Sequence, residues 1–70
     1  MKYAVVKVVN GNFAISTEHG ENKDAAVVAF HSLCASLWND SAEVEAVVKI
    51  MDSNLDVVDG YIDFISHPAK

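Results

Sequence analysis

One stretch of this chain, from Lys23 to Trp38, has its apolar residues at the spacing of an amphipathic helix. The predicted apolar stripe comprises Val27, Phe30, Cys34, Leu37 and Trp38, flanked by Ala26 and Leu33. Asn22 is suited to cap the start of this helix, and Asn39 to end it in a left-handed conformation. Because the segments on both sides are rich in β-branched residues, a single helix has to cover whatever sheet they form.

The first of these segments predicts a β-hairpin. Two β-branched runs, Tyr3 to Val9 and Asn12 to Thr17, flank Asn10-Gly11, which suits a type I′ turn because both central residues need a positive φ. The register set by that turn gives one wholly apolar face, comprising Ala4, Val6, Val8, Phe13 and Ile15. We expect that face to pack against the helix, with Tyr3, Val5 and Val9 on the opposite face.

The last third of the chain predicts two more strands, over residues 43–51 and 55–66. Asp59-Gly60 interrupts the second and has two interpretations. A two-residue turn would set Asp56 opposite Asp63, a destabilising pair of like charges. A bulge would leave one bent strand paired to residues 43–51, and we favour it. One face would then carry Val44, Ala46, Val48, Ile50, Val57, Ile62 and Phe64.

These elements predict an α+β fold of one domain, residues 1–70, in the order β-β-α-β-β. The antiparallel four-stranded sheet would have the helix packed on one face. The strand order stays open, since the hairpins can lie side by side or interleave. The tail from His67-Pro68 onward is expected to fray.

Net charge and composition limit the kinds of molecule that this chain is expected to bind. Five Lys and no Arg stand against ten Asp and Glu, for a net charge of −5, which disfavours nucleic acid and anionic membranes. The single cysteine excludes an internal disulfide, and no apolar run reaches the roughly 18 residues of a membrane-spanning helix. A charge interrupts any signal-peptide core near the start, so a cytoplasmic location is expected.

The face of the sheet left uncovered by the helix is the main functional candidate. We expect it to carry eight apolar or aromatic residues: Tyr3, Val5, Val9, Val47, Met51, Val58, Tyr61 and Ile65. An open antiparallel face is polar when water is its only neighbour, so this composition indicates an interface. A core this small also gains from a partner. The sequence therefore predicts a non-enzymatic interaction module that forms a homodimer, or binds another protein, through this face or a strand edge. The alternative is that these residues are scattered, as on ordinary monomers.

A second hypothesis places a divalent metal or small ligand at the acidic turn 52–56, or in a cavity at a dimer interface. Asp52, Asn54 and Asp56 alternate like the first donors of a calcium-binding loop. Val57 stands where such a loop needs glycine, and strands flank the turn. Asp and Asn are also common in turns for backbone reasons, and no cofactor is predicted.

His31 and Cys34 are spaced to meet on the helix, as a nucleophile and its base would. Cys34, however, lies in the middle of the apolar stripe, where a thiol behaves as a small hydrophobe. The spacing therefore favours a core cysteine beside a boundary histidine. With no oxyanion device or phosphate-binding loop, enzymatic activity is not predicted.

Three stretches, Lys7–Phe13, Phe30–Asn39 and Met51–Tyr61, resemble short uncharacterised proteins encoded on bacterial conjugative and other mobile elements. The resemblance implies a bacterial cytoplasmic accessory role. It transfers no catalytic or binding residue, because that group has no established activity.

Overall fold

A computed structural model describes residues 1–70 and has the α+β layout predicted from the sequence. The elements are β1 (Tyr3–Val9), β2 (Asn12–Gly20), α1 (Lys23–Asn39), β3 (Val44–Asp52) and β4 (Val57–His67). The four strands form one antiparallel sheet in the order β2-β1-β3-β4. The two hairpins therefore lie side by side, with β1 and β3 in the centre.

The first hairpin closes through the predicted turn, and the same turn joins the two hairpins. Asn10 and Gly11 both have positive φ, 49° and 84°, and Val9 pairs with Asn12. The Asn10 side chain accepts a hydrogen bond from the Glu45 amide at 2.9 Å and donates one to the Glu43 carbonyl at 3.3 Å. Asn10 thus adopts the left-handed conformation of the turn and also hydrogen-bonds the backbone at the start of β3.

Helix α1 begins at its predicted cap, but it does not end in a left-handed Asn39. Asn39 is the last helical residue and has no positive φ, and the extended Asp40 closes the helix through its amide, which donates to the Leu37 carbonyl. The Asn22 side chain accepts a hydrogen bond from the Ala25 amide at 3.0 Å, and Asp24 lies in the first turn, where the helix dipole favours a negative charge. Trp38 departs from the predicted stripe, since its ring is exposed and its Nε1 donates to Asp63. The helix does not combine the length and apolar character needed to cross a bilayer.

The core lies between α1 and one face of the sheet. Its ten buried residues, all apolar, are Val5, Ala26, Phe30, Cys34, Leu37, Val44, Ala46, Val48, Ile50 and Ile65. β3 contributes every second residue from Val44 to Ile50, which is the period of a strand with one buried face. This central strand fixes which face of the sheet the helix covers.

The bulge interpretation of Asp59-Gly60 is confirmed. β4 is one continuous strand, and its register against β3 shifts between the pairs Lys49↔Ile62 and Met51↔Val57. Gly60 has φ 85°, which a side chain would disfavour. Because residues 58–61 lie opposite Ile50 alone, the bulge decides which β4 side chains face the helix.

The predicted assignment of faces is wrong for β1, β2 and β4. Antiparallel partners point to the same side of a sheet, and the pairs Val5↔Ile50 and Ala46↔Ile65 place Val5 and Ile65 in the core. Tyr3, Val9, Val58 and Tyr61 pack against that core on the same side. Of the eight residues expected on the uncovered face, Val47 and Met51 lie there. The other face of each hairpin, including Phe13 and Phe64, faces away from the helix.

The C-terminal residues do not fray. The Lys70 amide donates to the Ser41 carbonyl at 2.8 Å, and the Lys70 ammonium donates to the Trp38 carbonyl at 2.7 Å. His67, the last residue of β4, contacts the Leu37 carbonyl through its ring. The tail is therefore fastened to the C-terminal end of α1.

Candidate interaction face

The sheet face that points away from α1 consists of three rows of side chains, each crossing all four strands. From β2 to β4, these rows are Phe13, Val8, Val47, Phe64; Ile15, Val6, Lys49, Ile62; and Glu18, Ala4, Met51, Val57. We call these twelve side chains the open face. All of them are apolar except Lys49 and Glu18.

The largest apolar side chains of the open face are in contact with water. Phe13 is 70% exposed and Phe64 is 66% exposed. Ile15, Val8, Ile62 and Val57 are exposed as well. An antiparallel sheet face that meets only water is normally polar, and contiguous apolar patches of more than a few hundred Å² indicate interaction sites. The open face has the apolar composition of a buried surface, but no other part of the chain packs against it.

Leu55 extends the open face at one end. Its φ is 64°, unusual for a residue other than glycine, and its side chain is almost fully exposed. With Tyr3, Val6, Phe13, Ile15 and Met51 it lines a cleft of about 500 Å³. A positive φ and an exposed leucine both cost stability in the isolated chain, so this turn is better suited to a chain whose open face is covered.

The charges on and around the open face nearly balance. Lys49 and Glu18 lie within it, Lys2 and Glu45 lie at its two ends, and Asp52 lines the cleft beside Lys2. The rest of the chain carries the excess of acids that gives a net charge of −5. The open face is therefore the part of the surface where the general repulsion between two copies is weakest.

The two edge strands are poorly suited to pairing with another strand. The register of β2 against β1 shifts between Val5 and Val6, and the register of β4 shifts at its bulge. Asp63 on β4 points toward the helix side, opposite Val48. Bulges and inward-pointing charges are features that protect edges from further pairing. Of the two surfaces predicted from the sequence, face or edge, the geometry favours the face.

In the acidic turn, one of the oxygen atoms that could bind a metal ion is already engaged by the backbone of the turn. One carboxylate oxygen of Asp52 accepts hydrogen bonds from the Asn54 amide at 2.8 Å and from the Asp56 amide at 3.2 Å. No three His, Cys, Asp or Glu side chains come together in the chain in a way that would hold a metal ion. Asp52, Asn54 and Asp56 thus have the arrangement of a backbone-closing turn.

Cys34 is buried, as the core interpretation predicts, while His31 is exposed. Burial, assisted by the neighbouring Asp63 carboxylate, raises the pKa of the Cys34 thiol from 9.0 to about 11. The His31 ring packs edge-on against Phe30 at 5.2 Å and Tyr61 at 6.4 Å between centroids. The pair has the features of a core boundary and none of an activated nucleophile.

We expect Cys34 to react with a thiol reagent far more slowly in the native protein than in denaturant. The rise in pKa alone lowers the thiolate fraction about 100-fold near pH 8, and burial limits access further. The rate of disulfide exchange with an aromatic disulfide, followed at pH 8 with and without urea, checks this. Equal rates would show that the Cys34 side of α1 opens readily.

No family model, curated protein sequence or solved structure matches this chain.

Proposed function

We propose that this protein is a non-enzymatic interaction module that forms a homodimer by packing its open face against the same face of a second copy. The observation that carries the proposal is the unbroken row Phe13, Val8, Val47, Phe64, which crosses all four strands and is exposed at both ends.

The order of residues in this row favours a second copy as the occupant. The order is Phe-Val-Val-Phe in both directions across the sheet, because the hairpins lie side by side with β1 and β3 in the centre. A two-fold axis parallel to the strands would set each β1 over a β3 and each outer phenylalanine over the other one. Self-complementary patches of this kind are what a two-fold interface requires.

Size and charge are compatible with the same arrangement. Four strands about 4.8 Å apart make the open face roughly 20 Å wide. Three rows about 6.8 Å apart, together with the residues that flank them, make it roughly 30 Å long. Two such faces would bury about 1,200 Å², the lower end of the range for specific interfaces. Lys49 and Glu18 supply one charge of each sign per copy, so pairing adds no net charge to the interface.

As part of this proposal, the module acts in the bacterial cytoplasm, as its resemblance to mobile-element proteins implies. A different protein that covers the same face would leave the purified chain monomeric, so the oligomeric state separates the two kinds of partner.

A charge placed in the middle of the row tests the proposal. We expect Val47→Lys to abolish the dimer, because the ammonium group would be buried among apolar side chains. The matched control is Val28→Lys, since Val28 is 66% exposed on the outer side of α1. Light scattering after size exclusion should give a monomer mass for Val47→Lys and a dimer mass for Val28→Lys. The same mass for both variants would contradict the proposal that the open face is the dimer interface.

A further inference from the structure

The imidazole of His67 lies between two backbone carbonyl groups. Its Nε2 is 2.8 Å from the carbonyl oxygen of Leu37, near the end of α1, and its Nδ1 is 2.9 Å from the carbonyl oxygen of Pro68. Carbonyl oxygens only accept hydrogen bonds, and a neutral imidazole has only one N–H. Only the protonated ring, which donates from both nitrogens, satisfies both contacts.

The surroundings of His67 also favour a positive charge. The last turn of α1 contains no basic residue of its own, although unpaired carbonyls at a helix C-terminus attract cations. The ring stacks on Trp38 with 5.9 Å between centroids and planes 30° apart. Protonated His67 therefore adds, from β4, a second cation at the end of the helix, beside the Lys70 ammonium that donates to the Trp38 carbonyl.

We propose that His67 is a proton-operated latch that holds residues 67–70 against the C-terminal end of α1. When the ring is protonated, it donates to both carbonyls, and the Leu37 carbonyl also accepts the Asp40 amide at 3.3 Å. The tail is then held in place for the Lys70 contacts with Ser41 and Trp38. When the ring loses its proton, one of the two carbonyls faces a lone pair and the latch weakens.

The other charged groups near the ring oppose each other. Asp40, just after α1, favours the protonated form, and Lys70 in the tail disfavours it. β3 presents the apolar Val44 as the strand partner of His67. The hydrogen bonds to Pro68 and then to Leu37 have the largest effects, and together they raise the pKa of His67 above 6.5.

The direction of the pH dependence follows from that rise. A histidine whose pKa is higher in the folded than in the unfolded chain stabilises the fold fully below the unfolded value. This contribution is lost as the pH rises through the folded value. The latch is thus closed in mildly acidic solution and opens on the alkaline side of 6.5.

Trp38, the only tryptophan of the chain, gives a direct readout because it stacks on His67. We expect its fluorescence emission to change with a midpoint above pH 6.5, and the His67 ring resonances to titrate with the same midpoint in nuclear magnetic resonance spectra. His67→Gln should remove the Trp38 transition, whereas His31→Gln should leave it in place.

Two results would overturn the latch. One is a His67 midpoint at or below 6.5 in the wild-type chain, a measurement that does not depend on any variant folding. The other is a Trp38 transition that persists unchanged in folded His67→Gln. Circular dichroism of each variant establishes that the emission change does not come from global unfolding.

Discussion

Replacement of Ile65 by alanine is expected to lower the free energy of unfolding by about 2–5 kcal/mol. Ile65 is 1% exposed and pairs with Ala46 in the core under α1. A chain of this length has a total stability of roughly 4–10 kcal/mol, so the variant should be close to unfolding at room temperature. Urea denaturation followed by far-UV circular dichroism measures the change.

Ile62→Ala is the matched control, because Ile62 lies on the same strand but on the open face. We expect this substitution to cost less than about 1 kcal/mol when measured at concentrations where the wild type is monomeric. The comparison tests the faces of β4 directly. A larger loss at Ile62 than at Ile65 would mean that the two faces are exchanged.

The double substitution Phe13→Ala with Phe64→Ala is expected to weaken self-association about 1,000-fold. The proposed two-fold arrangement loses two contacts between Phe13 and Phe64 per dimer. An aromatic hot-spot contact in an interface is worth about 2 kcal/mol, and about 1.4 kcal/mol corresponds to a tenfold change in Kd. Both rings are mostly exposed in the single chain, so the stability of the monomer should change little. Sedimentation equilibrium over a range of concentrations gives the Kd.

Val28→Ala is the control for this experiment, since it removes an exposed apolar side chain from α1 instead of the sheet. Its Kd should equal that of the wild type. An unchanged Kd for the phenylalanine variant would remove the first row from the interface and with it the proposed arrangement.

The local parts of the fold are predictable from the sequence because each depends on residues close together in the chain. Asn10-Gly11 specifies its turn through two positive φ values. The alternation from Val44 to Ile50 specifies the buried side of β3. Repulsion between Asp56 and Asp63 in a tight turn favours the bulge at Gly60, and β4 has that bulge.

The faces of β1 and β4 depend on contacts that the local pattern does not encode. The wholly apolar face of the first hairpin resembles a core face, yet the register of β1 against β3 turns Val5 inward and Phe13 outward. Lys7 lies half-buried on the helix side, where a long side chain can reach water. Asp63 on the same side accepts a hydrogen bond from Trp38. Charged residues on the helix side and exposed phenylalanines on the other side are the reverse of the usual distribution, in which apolar side chains face the core.

The candidate site was therefore predictable as a type of surface but not as a set of residues. Val47 and Met51 follow from β3 alone and lie on the open face. Periodicity alone predicts that Phe13 and Phe64, its most exposed aromatic residues, lie on the helix side. The signal that could have placed them is the pairing between hairpins, which single-sequence periodicity does not contain. The same holds for His67, whose partner Leu37 is distant in the chain.

The most direct test of the homodimer is the mass of the unmodified chain in solution. Sedimentation equilibrium across a wide dilution series should show a particle of twice 7.6 kDa that dissociates to 7.6 kDa at low concentration. A mass of 7.6 kDa at every concentration, including the highest, would contradict the proposal that a second copy covers the open face.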